Sequence, residues 1–258
     1  MAKRKPIRTD IGWSNATSIT VKGFDLCKDI LGKLSLGDMA FLELTDRLPN
    51  ARESAVFNAI AVTLVEHGIT PSSLAARMTY SGAPEAMQAA VGAGLAGLGS
   101  VYVGSMETAA RVLQEAIPDA KAAVDIDATA KKIVDQFLSA KKIIPGIGHP
   151  YHKPVDPRAP RLFEIAEQNG YSGQYVKLMQ AIAREAEKRS GKLLPVNATG
   201  AIGAIACELG LEWQFVRGIG VFARAIGLVG HLREEAKNPM AWEVKMRADE
   251  EATAHMRK

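Results

Sequence analysis

Cysteine is scarce in this chain, with two residues among 258, far apart in sequence and without metal-ligand spacing. Cys27 and Cys207 lie in helix-like apolar surroundings, so we predict buried free thiols in a reducing compartment rather than a disulfide framework or a metal site. Aromatic residues make up only 6% of the chain, and no basic stripe with interleaved aromatics occurs. Nucleic acid is therefore not an expected partner.

Long apolar runs are also missing. No uninterrupted stretch approaches the roughly 20 apolar residues that span a bilayer, and the amino terminus lacks the apolar stretch of a signal peptide. The net charge of +4 is small, and part of it lies in MAKRKPIR, which is typical of a solvated tail. We expect a soluble, cytoplasmic protein that does not bind a membrane.

Helical periodicity, by contrast, is abundant. Apolar residues recur with helical spacing over residues 53–66, and Thr70 and Pro71 are typical of an N-cap and a first helical residue. The segment SITVKGF near residue 20 predicts a short strand or hairpin. Residues 84–98 are rich in alanine and glycine, and because glycine weakens a helix, another backbone is expected close against it. We predict an all-α protein.

One segment does not fit a helix or an ordinary connection. Residues 141–162 place two glycines and five prolines around two histidines, with basic residues close behind. Glycine allows a backbone to approach a ligand and proline restricts the loop, which suits a histidine such as His149 that must face a substrate. Lys153 and Arg158 could bind carboxylates or phosphates. A rigid surface loop with solvated charges is the alternative.

The stretch GIGHPYHKPVDPRAPRL resembles the G-x-G-H-x-x-Y-K-x-x-DPR segment of the citrate synthase superfamily. The amino-terminal region agrees as well, and further stretches follow in the family's order: LVEHGITPSSLAARM, AGLAGLGSVYVGSMETA, LPVNATGAIGAIACELG and FARAIGLVGHLREE. They are similar to the family's H-E-x-N-x-S-T-x-x-x-R helix start, its G-P-L-H-G-G-A-N-E turn, its N-V-D segment and its arginine-bearing helix. Because the long amino-terminal helices of full citrate synthases are missing, the chain is most similar to citryl-CoA lyases and to the lyase domain of ATP-citrate lyase.

The resemblance implies a fold and an assembly. We expect a citrate synthase-like, two-domain helical fold that forms a homodimer, with the active site in the cleft between the domains. Residues 1–105 would begin the large domain, residues 106–202 would form the small domain, and residues 203–258 would complete the large domain and the carboxyl-terminal tail. No metal or tightly bound cofactor is expected, and coenzyme A would enter as part of the substrate.

The resemblance also implies residue roles. His149 takes the position of the histidine that faces the substrate hydroxyl or carbonyl, and His67 that of a substrate-contacting histidine. Arg158 and Arg224 take the positions of two arginines that bind substrate carboxylates. Lys153 falls where a basic residue meets a phosphate of coenzyme A.

Two positions depart from the family pattern. Tyr102 replaces the turn histidine that stabilises an enolate, and Asn197 replaces the aspartate that moves the methyl proton. Tyrosine still donates a hydrogen bond, whereas asparagine has no titratable proton and only orients its neighbours. Because loss of a general acid or base lowers a rate by roughly 10²–10⁴-fold, only weak citrate synthase activity is expected.

The remaining histidines are expected to be structural. His152, with Tyr151, is interpreted as loop scaffold, and His231 as a helix-surface or capping residue.

The resemblance implies a lyase that cleaves citryl-CoA, or a related 3-hydroxy-3-carboxyacyl-CoA, into an acyl-CoA such as acetyl-CoA and a keto acid such as oxaloacetate. A hydrolase or transferase of CoA thioesters is one alternative, and His149 with the two arginines favours the lyase over it. The other is a non-catalytic relative that binds a CoA ester or a polycarboxylate. Tyr102 and Asn197 keep that alternative open.

Overall fold

The computed structural model describes residue 4, residues 7–149 and residues 152–257, and most of this range is helical. The all-α class predicted from periodicity is confirmed. The α-helices of the described residues are α1 (Leu36–Thr45), α2 (Ala51–Val65), α3 (Pro71–Gly82), α4 (Met87–Ala96), α5 (Gly104–Ala116), α6 (Ile126–Ser139), α7 (Arg158–Gln168), α8 (Gln174–Ser190), α9 (Ala198–Glu208), α10 (Trp213–Lys237) and α11 (Ala241–Thr253). Short helical turns cover Leu26–Ile30 and Ala254–Met256.

A small antiparallel sheet precedes the helices, with its strands in the order β1 (Gly12–Ser14), β2 (Ile19–Val21) and β3 (Phe24–Asp25). Lys22 and Gly23 connect β2 to β3, and their φ angles are 49° and 86°. Two successive residues with positive φ are the requirement of a type I′ turn, whose twist matches that of the paired strands. The hairpin predicted near residue 20 is therefore confirmed.

The start of α3 is determined by its own sequence. The Thr70 hydroxyl accepts the backbone N–H of Ser73 at 3.2 Å, and the Ser73 hydroxyl accepts that of Thr70 at 2.7 Å. Pro71 occupies the first position of the helix, where its missing N–H leaves no donor unsatisfied. These contacts confirm the predicted N-cap, and they fix the chain three residues beyond His67.

Helix α9 lies in the centre of the core. All its residues from Gly200 to Cys207 are buried. A Cβ atom on Gly203 would lie 2.8 Å from the carbonyl oxygen of Met106 in α5, so glycine allows the two backbones to touch. The start of α9 is consequently a rigid support for the segments that pack on it.

The alanine- and glycine-rich segment forms α4, which is shorter than the predicted range. A Cβ on Gly94 would lie 3.0 Å from the carbonyl oxygen of Ser72, and the Ser72 hydroxyl donates to the Gly94 carbonyl at 2.7 Å. The close backbone expected of this segment is therefore α3 of the same chain. The homodimer stays a prediction.

Helix α10 has 25 residues and is long and apolar enough to cross a membrane by length and composition alone. It packs, however, against α2, α3, α4, α5 and α9, and Arg217 and Arg224 interrupt its apolar sequence. These are the properties of a core helix. The packing of α10 on these helices accounts for its length and apolar sequence.

The expectation for the two cysteines is half wrong. Cys207 is buried in α9, and burial raises the pKa of its thiol to about 12. Cys27 is exposed, because the short turn Leu26–Ile30 that carries it buries only Ile30.

The domain boundaries expected from the resemblance stay a prediction.

Candidate active site

The segment that carries His149 is paired with the segment that leads into α9. Ile147 and Val196 form an isolated antiparallel bridge. The residues on either side of this pair join the two segments through backbone hydrogen bonds of 2.7 and 3.0 Å. His149 is thereby fixed relative to the central helix of the core.

Glycine is required at two positions of this segment. Gly146 and Gly148 have φ angles of 87° and 71°, a region that other residues rarely occupy. A Cβ on Gly146 would also lie 2.6 Å from the Cα of Gly200 in α9. The glycines thus serve the turn and its contact with the helix, in addition to any role at a ligand.

Asn197 is the residue that locks this arrangement. Its side-chain oxygen accepts the backbone N–H of Gly200 at 3.1 Å, which makes it the N-cap of α9. Its side-chain nitrogen donates to the carbonyl of Gly148 at 2.6 Å. Asn197 therefore holds the residue that directly precedes His149, and its role in the reaction stays a prediction.

Asp156 holds Arg158 in position. Its carboxylate is completely buried and accepts from the Arg158 guanidinium at 3.0 and 2.9 Å and from the backbone N–H of Ala198 at 2.9 Å. Burial alone would raise the pKa of this carboxyl, but these hydrogen bonds outweigh it and lower the pKa to about 2. Asp156 is therefore an anionic anchor and no general acid or base near neutral pH.

Three histidines meet beside this anchor. The ring centroids of His149 and His152 are 4.4 Å apart, and those of His67 and His152 are 5.9 Å apart in an edge-to-face arrangement. The connection between α2 and α3 contributes His67, whereas the glycine-rich segment contributes the other two. The ring of His152 thus lies close to both His67 and His149, and its interpretation as loop scaffold stays a prediction. Tyr151 lies outside the described residues.

A backbone N–H group determines which ring nitrogen of His149 carries the proton in the uncharged form. The N–H of His152 donates to the Nδ1 of His149 at 3.0 Å. A nitrogen that accepts carries no proton, so the uncharged ring is protonated at Nε2. Nε2 of the uncharged His149 ring is therefore a hydrogen-bond donor.

The electrostatic surroundings keep two histidines uncharged at neutral pH. Burial lowers the pKa of His67 below its ordinary 6.5, and the charges of Arg158, His152 and Arg224 lower it further. Burial also lowers the pKa of His149, as does His152, while Asp156 opposes the change. The arginines thus favour neutral imidazoles in this cluster.

Arg224 completes the positive side of the site. It lies half-buried on α10, and its Nη1 atom is buried without a hydrogen-bond partner in the described part of the chain. Burial lowers the pKa of its guanidinium, while the carboxylate of Glu66 opposes this effect. A buried guanidinium nitrogen without a partner is a place where a carboxylate of a ligand would be stabilised.

Two expected residues are not brought into contact with the histidines. Tyr102 is 54% exposed in the turn before α5, and its hydroxyl makes no hydrogen bond to another described residue. Its neighbour Val103 lies against Gly220 of α10, one helical turn before Arg224. Lys153 is exposed and pairs with none of the described acidic groups. Their assigned roles stay predictions.

Sequence reasoning missed Asp156 as an anchor and His152 as a member of the cluster. It also missed Thr199, whose hydroxyl donates to the side-chain oxygen of Asn197 at 2.7 Å. A signal was present, because the family's N-V-D motif falls in order on Asn197, Ala198 and Thr199. On that placement Thr199, and not Asn197, occupies the position of the family's aspartate. Neither side chain titrates near neutral pH.

Comparison with known proteins agrees with this architecture. Residues 29–245 match the family model described as citrate synthase, C-terminal domain. The structure of citryl-CoA lyase from Hydrogenobacter thermophilus is 35% identical, superposes with a TM-score of 0.82, and matches over 91% of this chain and 88% of its own.

More distant proteins share the fold or part of the sequence. ATP citrate lyase from Methanothrix soehngenii, solved with citrate and coenzyme A, is 20% identical with a TM-score of 0.75, over 92% of this chain and 40% of that one. The citrate synthase of Heyndrickxia coagulans is 27% identical over 76% of this chain. The chain spans 51% of the length of that relative. The resemblance seen in the sequence motifs is thus confirmed, and the chain belongs to the citrate synthase family.

Proposed function

We propose that the protein cleaves the carbon–carbon bond of citryl-CoA or a related 3-hydroxy-3-carboxyacyl-CoA, giving an acyl-CoA and a keto acid. The observation that carries the proposal is the convergence of two uncharged histidines, His67 and His149, with two arginines, Arg158 and Arg224. The similarity to the citryl-CoA lyase of Hydrogenobacter thermophilus over nearly the whole of both chains supports it.

The arginines would bind the carboxylates of the citryl group. Asp156 accepts hydrogen bonds from Nε and Nη2 of Arg158. The remaining N–H groups of the guanidinium would bind a ligand. Arg224 offers its buried Nη1. Charge-assisted hydrogen bonds to two arginines would fix the tertiary carbon and its hydroxyl relative to the histidines.

His149 would act on the oxygen of the tertiary carbon. Its Nε2–H would donate to that oxygen while it changes from hydroxyl to carbonyl. The hydroxyl proton would pass to an uncharged imidazole of the cluster, for which His67 is suited because its lowered pKa keeps the ring uncharged and able to accept a proton near neutral pH. As that proton leaves, the carbon–carbon bond would break and its electron pair would move into the thioester, giving the enolate of the acyl-CoA.

The enolate needs a hydrogen-bond donor and then a proton on carbon. Tyr102 stays the candidate donor, since a tyrosine hydroxyl can stabilise a developing oxyanion. Asn197 and Thr199 cannot supply the proton, whereas the imidazolium formed in the first step can. That imidazolium would take the place of the missing carboxylate as the proton donor to the enolate carbon.

A coupled assay tests the proposal: citryl-CoA is supplied with malate dehydrogenase and NADH, and oxaloacetate is detected as loss of NADH absorbance. Wild-type protein should turn over, and His149→Gln should lower kcat by about 10²–10⁴-fold. Release of free thiol without oxaloacetate would instead identify a thioester hydrolase. If the protein released neither oxaloacetate nor free thiol, the proposal would be overturned.

The substitutions at Tyr102 and Asn197 favour a second candidate, a non-catalytic binder of a CoA ester or polycarboxylate. Titration calorimetry with citrate and with coenzyme A would identify it, if both bind to a protein that cleaves nothing. The homodimer, the cytoplasmic location and the cleft between two domains remain part of the proposal.

A further inference from the structure

A buried ionic network is joined through Glu66 to the backbone of His67. Arg77 of α3 is only 1% exposed, and its guanidinium reaches across to α10. There it donates to Glu235 at 2.9 Å and to the Nδ1 of His231 at 3.2 and 3.0 Å, and it also contacts Glu234. His231 is thus buried and not the surface or capping residue expected from the sequence.

Arg77 determines which ring nitrogen of the uncharged His231 carries the proton. Because arginine donates hydrogen bonds and never accepts them, Nδ1 of His231 must be the acceptor. The uncharged ring then carries its proton on Nε2, which lies 3.0 Å from Oε1 of Glu66. His231 therefore transmits the position of the buried Arg77 to the carboxylate of Glu66.

Glu66 in turn holds the backbone of the turn that carries His67. Its Oε1 atom accepts the N–H of His67 at 2.8 Å and the N–H of Gly68 at 2.6 Å. Gly68 has a φ of 69°, which a residue with a side chain would rarely adopt. One carboxylate oxygen thereby joins the turn to α10, the helix that also carries Arg224.

We propose that His231 is a positioning residue for the active site and that Arg77, His231 and Glu66 together hold His67 in the orientation that a substrate needs. This inference rests on the proposed function, because it assigns to His67 a contact with the substrate. A role in stability alone does not explain the arrangement. Buried ionic groups add little net stability, and this network ends on the backbone amides of His67 and Gly68.

Arg77, His231 and Glu66 are called the clamp. Hydrogen exchange measured by NMR tests the clamp without any ligand. In wild-type protein the amides of His67 and Gly68 should be protected. His231→Phe, which keeps a ring but no donor, should speed their exchange about tenfold or more, since Glu66 loses a charge-assisted partner. His231→Gln, which keeps a donor, should restore part of the protection. Glu234→Gln is the matched control, because it changes a neighbour of Arg77 that does not touch Glu66, and it should leave both amides unchanged.

A double-mutant cycle tests whether the clamp acts through His67. Calorimetry should show citrate affinity reduced about tenfold in His231→Phe, with the affinity for coenzyme A unchanged. Adding His67→Ala should cause no further loss beyond that of His67→Ala alone, because two residues of one unit are not additive. Should His231→Phe fail to fold, Glu66→Ala interrupts the same chain at its more exposed end and should give the same results.

Unchanged exchange at His67 and Gly68 in both His231→Phe and Glu66→Ala would overturn the inference. Additive losses of citrate affinity in the cycle would do so as well. Failure of wild-type protein to cleave citryl-CoA would overturn only the proposed function, because the exchange and binding measurements need no turnover.

Discussion

Replacing Asp156 with asparagine should destabilise the protein by about 2–3 kcal/mol at neutral pH. The carboxylate is completely buried between the Arg158 guanidinium and the N-terminal turn of α9. These partners lower its pKa from 3.8 to about 2, although burial opposes them. A difference of this size corresponds to about 2.4 kcal/mol in favour of the charged form in the folded state. Asparagine would in addition turn an N–H group towards a donor.

The pH dependence of this effect has a defined sign. Since the folded pKa lies below the unfolded one, the stabilisation is complete above about pH 5 and is lost as the pH falls towards 2. Urea unfolding followed by circular dichroism should therefore give a constant difference between wild type and Asp156→Asn from pH 5 to 8, and a smaller one below pH 4. Asp135→Asn is the control, because its partly exposed pair with Arg189 should contribute less than about 1 kcal/mol. Equal losses in the two variants, or a difference that changes between pH 5 and 8, would refute the reasoning.

Four further outcomes are expected. The acid limb of kcat/KM for citryl-CoA cleavage should lie below pH 6.5, because burial lowers the pKa of His67, the proposed base, and a limb at higher pH would contradict this assignment. Tyr102→Phe should reduce kcat by about 10²–10³-fold while calorimetry shows unchanged binding of coenzyme A; an unchanged rate would remove Tyr102 from the mechanism. Asn197→Asp should lower the free energy of unfolding in urea by about 1–3 kcal/mol, since a carboxylate cannot donate to the Gly148 carbonyl. Faster deuterium exchange of the acetyl-CoA methyl group in this variant would argue against a purely orienting role of Asn197. Light scattering should give a mass near twice 27.6 kDa, whereas a monomer at micromolar concentration would exclude the homodimer.

Features that depend on neighbouring residues could be predicted from the sequence. The hairpin around residue 20 and the start of α3 at Thr70 follow from turn and capping chemistry within a few positions. The helices follow from periodicity in the same way. Cys27 shows the limit of such reasoning, because apolar neighbours in sequence do not reveal that the turn lies outside the core.

The candidate site could be predicted only where a motif marks it. The resemblance identified His67, His149, Arg158 and Arg224, and the structure brings these four together. It did not reveal that Asn197 caps α9 and holds the loop. The clamp depends on pairs more than 150 positions apart, such as Arg77 with His231, and no local pattern encodes such a pair.

Arg224 has a consequence for engineering. Since its Nη1 is buried without a hydrogen-bond partner among the described residues, we expect an apolar side chain of similar size at this position to make the ligand-free protein more stable. A carboxylate bound at this nitrogen would stabilise the folded state by mass action. A search for heat-resistant variants without ligand would therefore select methionine or leucine at this position and discard the proposed contact with the acid. The same search in the presence of citrate would retain the arginine.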